Sequence, residues 1–292
     1  MNELRTGQGT IIRYGEPIRA YHDDRKWYGS TNLKLLDEST FEFYDRVIKK
    51  PVASSEDEAT SCSTIPEGLM LGTHWHEDIR EHGPDGFKRF VDTVAIIPDR
   101  YCRADGTTST SRASREWFDR QIADGTKYVS KKHFETLKLM DERFKMNMAA
   151  MKYEHVPQES LLREVGIRWK HMGVPLKVRP DLISRGRLLD YKTTRDTNPA
   201  RSFQRAVWKY KYDLSAVMYE IGCEAAGLAS GPMIFVVTST VGDCQTQVMT
   251  LSDKQLASAR DRFQGMVANL KQRLDDGDWV PAGYGECLTI GE

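Results

Sequence analysis

The sequence lacks the features that would place it in several large classes of protein. Its five scattered cysteines contain no C-x-x-C spacing, so neither a zinc site nor a cysteine-ligated iron–sulfur cluster is expected. No apolar run reaches the length of a membrane span, and the opening residues MNELRTGQGTIIRYGEP contain no apolar core for export. An odd number of unclustered thiols is typical of a reducing compartment. We therefore expect a cytoplasmic protein that does not enter membranes.

An excess of charge of either sign is also absent. Lys+Arg and Asp+Glu each total 42, so the formal net charge is zero. A protein that coats nucleic acid would normally be basic. Neutrality is compatible with an enzyme whose acidic site is offset by a local basic groove, but does not by itself indicate one. Internal repeats and long low-complexity tracts are missing as well, and 292 residues with 39% hydrophobic content suffice for a substantial core.

The most informative stretch covers residues 174–194, VPLKVRPDLISRGRLLDYKTT. Apolar and charged residues alternate over its first part, which predicts a strand. The sequence Ser184-Arg185-Gly186-Arg187 has turn chemistry, because Gly186 can adopt a positive φ without strain. A return strand is predicted from Leu188 onward. The stretch is therefore expected to form two short strands joined by a tight turn.

A two-residue loop at 185–186 fixes which residues of this hairpin oppose each other. Opposed positions then sum to 371, which places Asp181 opposite Asp190 and Arg179 opposite Lys192. Lys192 follows Asp190 by two residues and shares its face of the sheet. Two carboxylates at cross-strand distance repel unless a positive charge lies between them, and a divalent metal is the usual solution. The alternative is a set of solvent-facing charges on an amphipathic hairpin.

The residues on either side of Asp181 and Asp190 resemble the sequence signature of a known protein superfamily. Pro180-Asp181, followed by Asp190-Tyr191-Lys192 after an apolar pair, resembles the signature of the PD-(D/E)xK nuclease superfamily. The form RPDLI…LLDYKTT is most similar to the RecE-type (exodeoxyribonuclease VIII-like) exonucleases of the RecB-like branch. The resemblance extends over most of the chain, roughly residues 21–279. It implies an α/β (α+β) fold with a restriction-endonuclease-like core, a central mixed β-sheet flanked by helices.

We expect one nuclease domain over residues 1–292. Its predicted parts are an N-terminal helical and loop region (1–60), a helical wall with a histidine motif (61–160), the catalytic sheet and helices (161–275) and a tail (276–292). Hydrophobic spacing predicts helices from Ser30 to about Lys49 and from Arg201 to about Ala226, and strands at 94–97, 161–169, 232–240 and 245–251. Ser252 is predicted to cap a last long helix.

Residues 69–80, LMLGTHWHEDIR, have the spacing of a helix with His76 on its apolar face. A lone histidine in such a position is more often a core residue than a ligand. The segment also resembles the helical G-T-x-x-H motif of RecE and RecB-like enzymes, whose histidine contributes to the metal site. That match implies His76 as a metal ligand and catalytic residue, with His74 as the second choice.

The resemblance also implies the other members of a metal site. Asp181 and Asp190 are the expected ligands of Mg²⁺ or Mn²⁺, which prefer hard oxygen donors. The backbone carbonyl of Tyr191 is a further candidate ligand. Glu164 is a further candidate ligand, since an upstream glutamate often enters the metal shell in this superfamily; the alternative is a solvent-facing charge at a strand start. Lys192 is expected to polarise the attacking water or to stabilise developing charge.

A stripe of basic, aromatic and small polar residues is predicted to bind DNA. Helical spacing places six residues on one face of the helix expected after the hairpin: Arg201, Arg205, Trp208, Tyr212, Ser215 and Tyr219. The alternative is an ordinary core-facing stripe. Arginines and aromatic rings suit phosphates and unstacked bases, and Arg179 is expected to join them. RecB-like nucleases have Q-x-x-x-Y on the corresponding helix, and this chain has Ser215 in place of the glutamine.

The resemblance implies a metal-dependent, ATP-independent exonuclease that degrades one strand of linear duplex DNA from its 5′ end. It further implies a homo-oligomeric ring and a RecT-type annealing protein as a partner in phage or prophage recombination. In such a ring only the residues that line the channel need to be basic, so a chain with zero net charge is compatible with it. Two alternatives stay open: a RecB-like single-strand or flap endonuclease, and an inactive nuclease fold that only binds DNA.

Overall fold

The computed structural model describes residues 2–6, 9–49, 91–92, 94–121, 127–150, 161–184 and 186–281. Strands β1 (Asn2–Arg5) and β2 (Ile11–Tyr14) form an antiparallel hairpin. Helices α1 (Ile18–Asp23), α2 (Ser30–Glu38) and α3 (Thr40–Phe43) follow, and α3 continues as a π-helical turn (Tyr44–Ile48). The helix predicted from Ser30 to about Lys49 is interrupted at Ser39, whose extended backbone and side-chain cap begin α3.

The middle of the chain contributes a short parallel pair and two helices. Strands β3 (Val94–Ile97) and β4 (Lys127–Ser130) pair in parallel, which confirms the predicted strand at 94–97. Helix α4 (Arg112–Gln121) lies between them in sequence, and α5 (Lys131–Ala150) follows β4 directly. In the described part of the chain, none of the helices combines the length and apolar character that crossing a bilayer requires.

The remaining strands divide between two sheets. They are β5 (Leu161–Arg163), β6 (Gly166–His171), β7 (Val174–Val178), β8 (Leu182–Ser184), β9 (Arg187–Thr194), β10 (Ile234–Ser239) and β11 (Thr246–Thr250). One sheet has the order β1-β2-β6-β7 and the other β11-β10-β9-β8-β5. In the five-stranded sheet β9 and β10 are parallel and the other pairs are antiparallel. The predicted central mixed sheet is thereby confirmed.

Two stretches predicted as continuous strands pass from one sheet to the other. The strand expected at 161–169 breaks at Glu164, which has a φ of 51°, so that β5 and β6 join different sheets. The first arm of the predicted hairpin breaks around Pro180, because a proline has no N–H for a sheet ladder. As a result β7 pairs with β6, and only β8 pairs with β9.

The helix predicted from Arg201 to about Ala226 is likewise two helices, α6 (Pro199–Tyr210) and α7 (Tyr212–Ala225). Lys211 separates them with a left-handed φ of 49°. The last helix, α8 (Asp253–Asp276), begins as predicted at the cap Ser252, whose side chain accepts a hydrogen bond from the Gln255 amide.

The five-stranded sheet has helices on both faces. Leu188 of β9 and Phe235 of β10 belong to the large core that includes residues of α6, α7 and α8. Leu189 and Tyr191 point to the other face, where they pack with Leu137 and other residues of α5. Because side chains alternate along a strand, Asp190 and Lys192 lie on the α6–α7 face. Helix α5 therefore covers the face opposite to the acids of the hairpin.

Replacing Gly166 by alanine is expected to lower the free energy of unfolding by about 1–3 kcal/mol, because overpacking a tight site carries that cost. A Cβ at this position would lie 2.1 Å from Glu16 Oε2 and 3.0 Å from Arg168 Nη1, which form a buried ion pair. Urea denaturation would measure the loss. Gly265→Ala is the matched control, because Gly265 lies within α8 and has no atom within 4 Å of its added Cβ. Equal unfolding midpoints for the two variants would contradict the expectation.

Candidate active site

Two buried aspartates meet where β8 enters the hairpin. Leu182 of β8 pairs with Leu189 of β9, and Ser184 pairs with Arg187. The predicted register of the hairpin, in which the numbers of opposed residues add up to 371, is therefore confirmed. One step further along, this register places Asp181 opposite Asp190. The Tyr191 amide donates a hydrogen bond of 3.0 Å to Asp181 Oδ2, which fixes that carboxylate against β9. Asp181 and Asp190 are 5% and 6% exposed, so both carboxylates are largely removed from bulk water.

Lys192 supplies positive charge beside these carboxylates. Its ammonium forms an ion pair with Asp190 and donates a hydrogen bond of 3.3 Å to the Tyr191 carbonyl. Burial lowers the pKa of Lys192, but the Asp190 and Asp181 carboxylates outweigh that effect and the pKa is raised above its ordinary value. The charge that two neighbouring acids require is thus present within the protein itself.

Arg179 does not oppose Lys192, and that prediction is wrong. Strand β7 ends at Val178 and β8 begins only at Leu182, so the ladder between β8 and β9 does not extend to Arg179. Arg179 instead forms an ion pair of 2.5 Å with Glu164, and it donates a hydrogen bond of 3.1 Å to the Glu16 carbonyl.

Glu164 nevertheless lies next to the acidic pair. Its backbone amide donates to the Asp181 carbonyl at 3.3 Å, because the turn after β5 runs alongside the start of β8. Its carboxylate is engaged by Arg179, so that any metal contact by Glu164 would compete with this ion pair.

Tyr212 and Lys34 complete the site from the helical side, and no sequence motif indicated Lys34. The Lys192 ammonium lies 5.2 Å from the centroid of the Tyr212 ring, and the Lys34 ammonium of α2 lies 5.5 Å from the same centroid. Phe203 of α6 stacks on Tyr212 with ring centroids 5.9 Å apart. Burial raises the pKa of Tyr212, with Lys192 opposing that shift. Tyr212 is therefore a ring shared by two lysines.

The six residues predicted to share one helix face do not share it, because the left-handed Lys211 separates them into two helices. On α6, Arg201, Arg205 and Trp208 lie on the exposed side, and Trp208 is 66% exposed. Arg205 forms an ion pair of 2.6 Å with Asp196. On α7, the partly exposed residues at helical spacing are Tyr212, Ser215 and Tyr219.

The predicted histidine ligand His76, together with the alternative His74, lies outside the described residues. In the part of the chain that is described, no group of three or more His, Cys, Asp or Glu side chains has an arrangement suited to a metal ion. The two buried aspartates, one just before β8 and one on β9, are hard oxygen donors, and donors of this type fit Mg²⁺ or Mn²⁺. Further ligands would come from carbonyls, water or residues beyond the described ranges.

Comparison with known proteins identifies the family and the fold of the chain. No curated protein matches the chain. The crystal structure of a protein from Eubacterium rectale named "Putative exonuclease" has the same fold, with a TM-score of 0.52, 12% identity, and coverage of 92% of this chain and 88% of that one. A family profile described as "PDDEXK-like domain of unknown function (DUF3799)" matches residues 52–290. The chain therefore belongs to the DUF3799 family of PDDEXK-like domains and has the fold of the PD-(D/E)xK nucleases.

Proposed function

We propose that the protein is a metal-dependent, ATP-independent exonuclease that removes nucleotides from the 5′ end of linear duplex DNA and leaves a 3′ single-stranded tail. The observation that carries this proposal is the convergence of Asp181, Asp190 and Lys192 on one face of the central sheet. The resemblance of RPDLI…LLDYKTT to RecE-type enzymes supports the finer assignment of polarity and substrate.

The proposed division of labour follows from the contacts of each side chain. Asp181 and Asp190 would hold one or two Mg²⁺ or Mn²⁺ ions, assisted by the Tyr191 carbonyl, His76 and Glu164. When bound, such an ion lowers the pKa of a water molecule and offsets negative charge on the phosphate. The ammonium of Lys192, fixed between the Asp190 carboxylate and the Tyr191 carbonyl, is placed to orient the attacking water or to stabilise charge that develops on the phosphate.

The exposed side of α6 is the proposed contact for DNA beyond the reacting phosphate. Trp208 offers an exposed ring on which a base can stack, and Arg201 and Arg205 offer positive charge to the backbone. Next to these side chains lies a cleft of about 550 Å³ between α6 and β11, with Phe203, Trp208 and Met249 among its lining residues. Tyr212, Ser215 and Tyr219 would contact DNA from α7, and Arg179 from the segment before β8.

Digestion of linear duplex DNA labelled at either the 5′ or the 3′ end tests this function directly. With Mg²⁺ and without ATP, we expect label at the 5′ end to be released first, and EDTA to stop the release. Early release of the 3′ label would contradict the polarity. Cutting of covalently closed single-stranded circles would favour the alternative of a RecB-like endonuclease. The absence of any cleavage together with retained DNA binding would favour an inactive nuclease fold.

We further propose that the active form is a homo-oligomeric ring that delivers its single-stranded product to a RecT-type annealing protein. The resemblance to RecE-type enzymes supports the ring, and zero net charge is compatible with an assembly whose basic residues line an inner channel. Solution mass measured by light scattering tests the ring. A monomer that digests linear duplex at full rate would exclude the ring and leave the chemistry standing.

A further inference from the structure

Lys34 lies beside the candidate active site although it belongs to none of the sequence motifs. It is carried by α2, whose start is fixed by a hydrogen bond of 2.8 Å from the Gly29 amide to the Asn32 side chain. The flanking residues Leu33 and Leu36 are buried in the main core, so they determine the orientation of the helix. Lys34 is consequently held half-buried on a rigid element.

Among the described residues, the surroundings of Lys34 contain another cation and an aromatic ring, but no carboxylate that forms an ion pair with it. Its ammonium and that of Lys192 lie 5.5 Å and 5.2 Å from the centroid of the same Tyr212 ring. Lys192 has Asp190 as its ion-pair partner, and Lys211 has Asp37. Within the described residues, no carboxylate lies within ion-pairing distance of Lys34.

The pKa of the Lys34 ammonium is lowered by its surroundings. Burial and then the positive charge of Lys192 lower its pKa to about 8, with Asp213 and Asp190 acting in the opposite direction. Lys34 is therefore still protonated at neutral pH, in a position where its charge is poorly solvated. A group in this state is stabilised when an anion binds next to it.

We propose that Lys34 binds a phosphate group of the nucleic-acid strand at this site, as a second lysine that positions the substrate next to Lys192. This inference rests on the proposed nuclease function, since it takes the anion to be a phosphate of that substrate. The two ammonium groups lie near the same Tyr212 ring and repel each other, and a phosphate bound next to both would reduce that repulsion. Lys34 would orient the strand and take no part in proton transfer.

The test is the salt dependence of DNA binding in a chain that cannot turn the substrate over. With Asp190→Asn as the background, Lys34→Ala is expected to weaken the binding of a fluorescent linear duplex about five- to tenfold at 0.1 M salt. The slope of log Kd against log salt concentration should fall by about 0.7–0.9, as for the loss of one phosphate contact. Lys34→Arg should retain the slope, because a guanidinium also binds phosphate.

Lys49→Ala is the matched control, because Lys49 is an exposed lysine whose partner Asp45 lies 3.6 Å away. It should leave both affinity and slope unchanged. An unaltered slope in Lys34→Ala would overturn the proposal, as would an equal change in Lys49→Ala. A purely structural role for Lys34 would lower the melting temperature without changing the slope, which would also overturn it.

Two versions of the probe identify which phosphate is bound. A loss of slope with both 5′-phosphate and 5′-hydroxyl duplexes would assign Lys34 to an internal phosphodiester, and a loss confined to the 5′-phosphate duplex would assign it to the terminal phosphate. Either result supports the proposal. Digestion by the unmodified protein separates this inference from the proposed function. If the unmodified protein hydrolyses DNA but Lys34→Ala leaves DNA binding unchanged, only the inference about Lys34 is wrong. If Lys34→Ala weakens DNA binding but the unmodified protein does not hydrolyse DNA, only the proposed function is wrong.

Discussion

Changing Lys192 to methionine is expected to lower the rate of DNA hydrolysis by about a hundred- to a thousandfold, the usual cost of losing one charged group that acts on the transition state. Methionine keeps most of the aliphatic length of the side chain and removes only the ammonium that contacts Asp190 and the Tyr191 carbonyl. Single-turnover digestion of end-labelled duplex measures the loss. Binding of the same duplex should weaken by no more than about tenfold, the effect of losing one phosphate contact, which is far smaller than the loss of rate.

Two further variants determine whether such a loss reflects chemistry. Asp190→Asn should reduce the rate at least as much, since it removes a proposed metal ligand and the ion-pair partner of Lys192. Lys271→Met is the control, because Lys271 is an exposed lysine of α8 that forms an ion pair with Asp275 on the same helix. It should digest DNA at nearly the normal rate. If Lys192→Met also digested DNA normally, the proposed mechanism would have to be abandoned.

The geometry of the acidic pair could be predicted because it depends on local rules alone. A two-residue loop with Gly186, which has a φ of 71°, determines the register, and the register determines that Asp181 opposes Asp190. The alternation of side chains then places Lys192 on the same face. None of these steps requires knowledge of residues that are distant in the sequence.

The surroundings of that pair could not be predicted because they depend on tertiary contacts. The left-handed residue between α6 and α7 is Lys211, not a glycine or asparagine that would signal a helix end. Ion pairs with Asp37 and Glu38 of α2 hold Lys211 in place, and these partners lie far away in the sequence. The same break moves Tyr212 out of the predicted stripe and into contact with Lys192 and Lys34.

A buried ion network joins the four-stranded sheet to the candidate active site, and it too was unforeseen. Arg168 of β6 is fully buried and binds Glu16 with hydrogen bonds of 2.6 and 3.0 Å and Asp24 with one of 2.7 Å. The Glu16 carbonyl in turn accepts a hydrogen bond from Arg179, the partner of Glu164. The segment that precedes Asp181 is thus connected to the N-terminal part of the chain through charged groups.

Replacing Arg168 by methionine is expected to lower the free energy of unfolding by about 3–5 kcal/mol, because it leaves a buried carboxylate without its main partner. Among the described residues, the Glu16 carboxylate would then keep Arg13 as its ion-pair partner, at 3.2 Å. Urea denaturation measures the change. The exposed pair Arg112–Glu116, at 2.7 Å, provides the contrast, and Glu116→Ala should cost no more than about 0.5 kcal/mol.

A double-mutant cycle shows whether ion pairing is the cause. If each single change is costly because it strands the opposite charge, Glu16→Met combined with Arg168→Met should cost less than the sum of the two single changes, by at least about 1 kcal/mol. Additive costs would mean that the pair contributes nothing beyond packing, and the apolar core around Trp169 and Val178 would then carry the junction between the sheets. Coupled costs would mean that the buried Arg168–Glu16 ion pair itself stabilises the junction between the N-terminal segment and the four-stranded sheet.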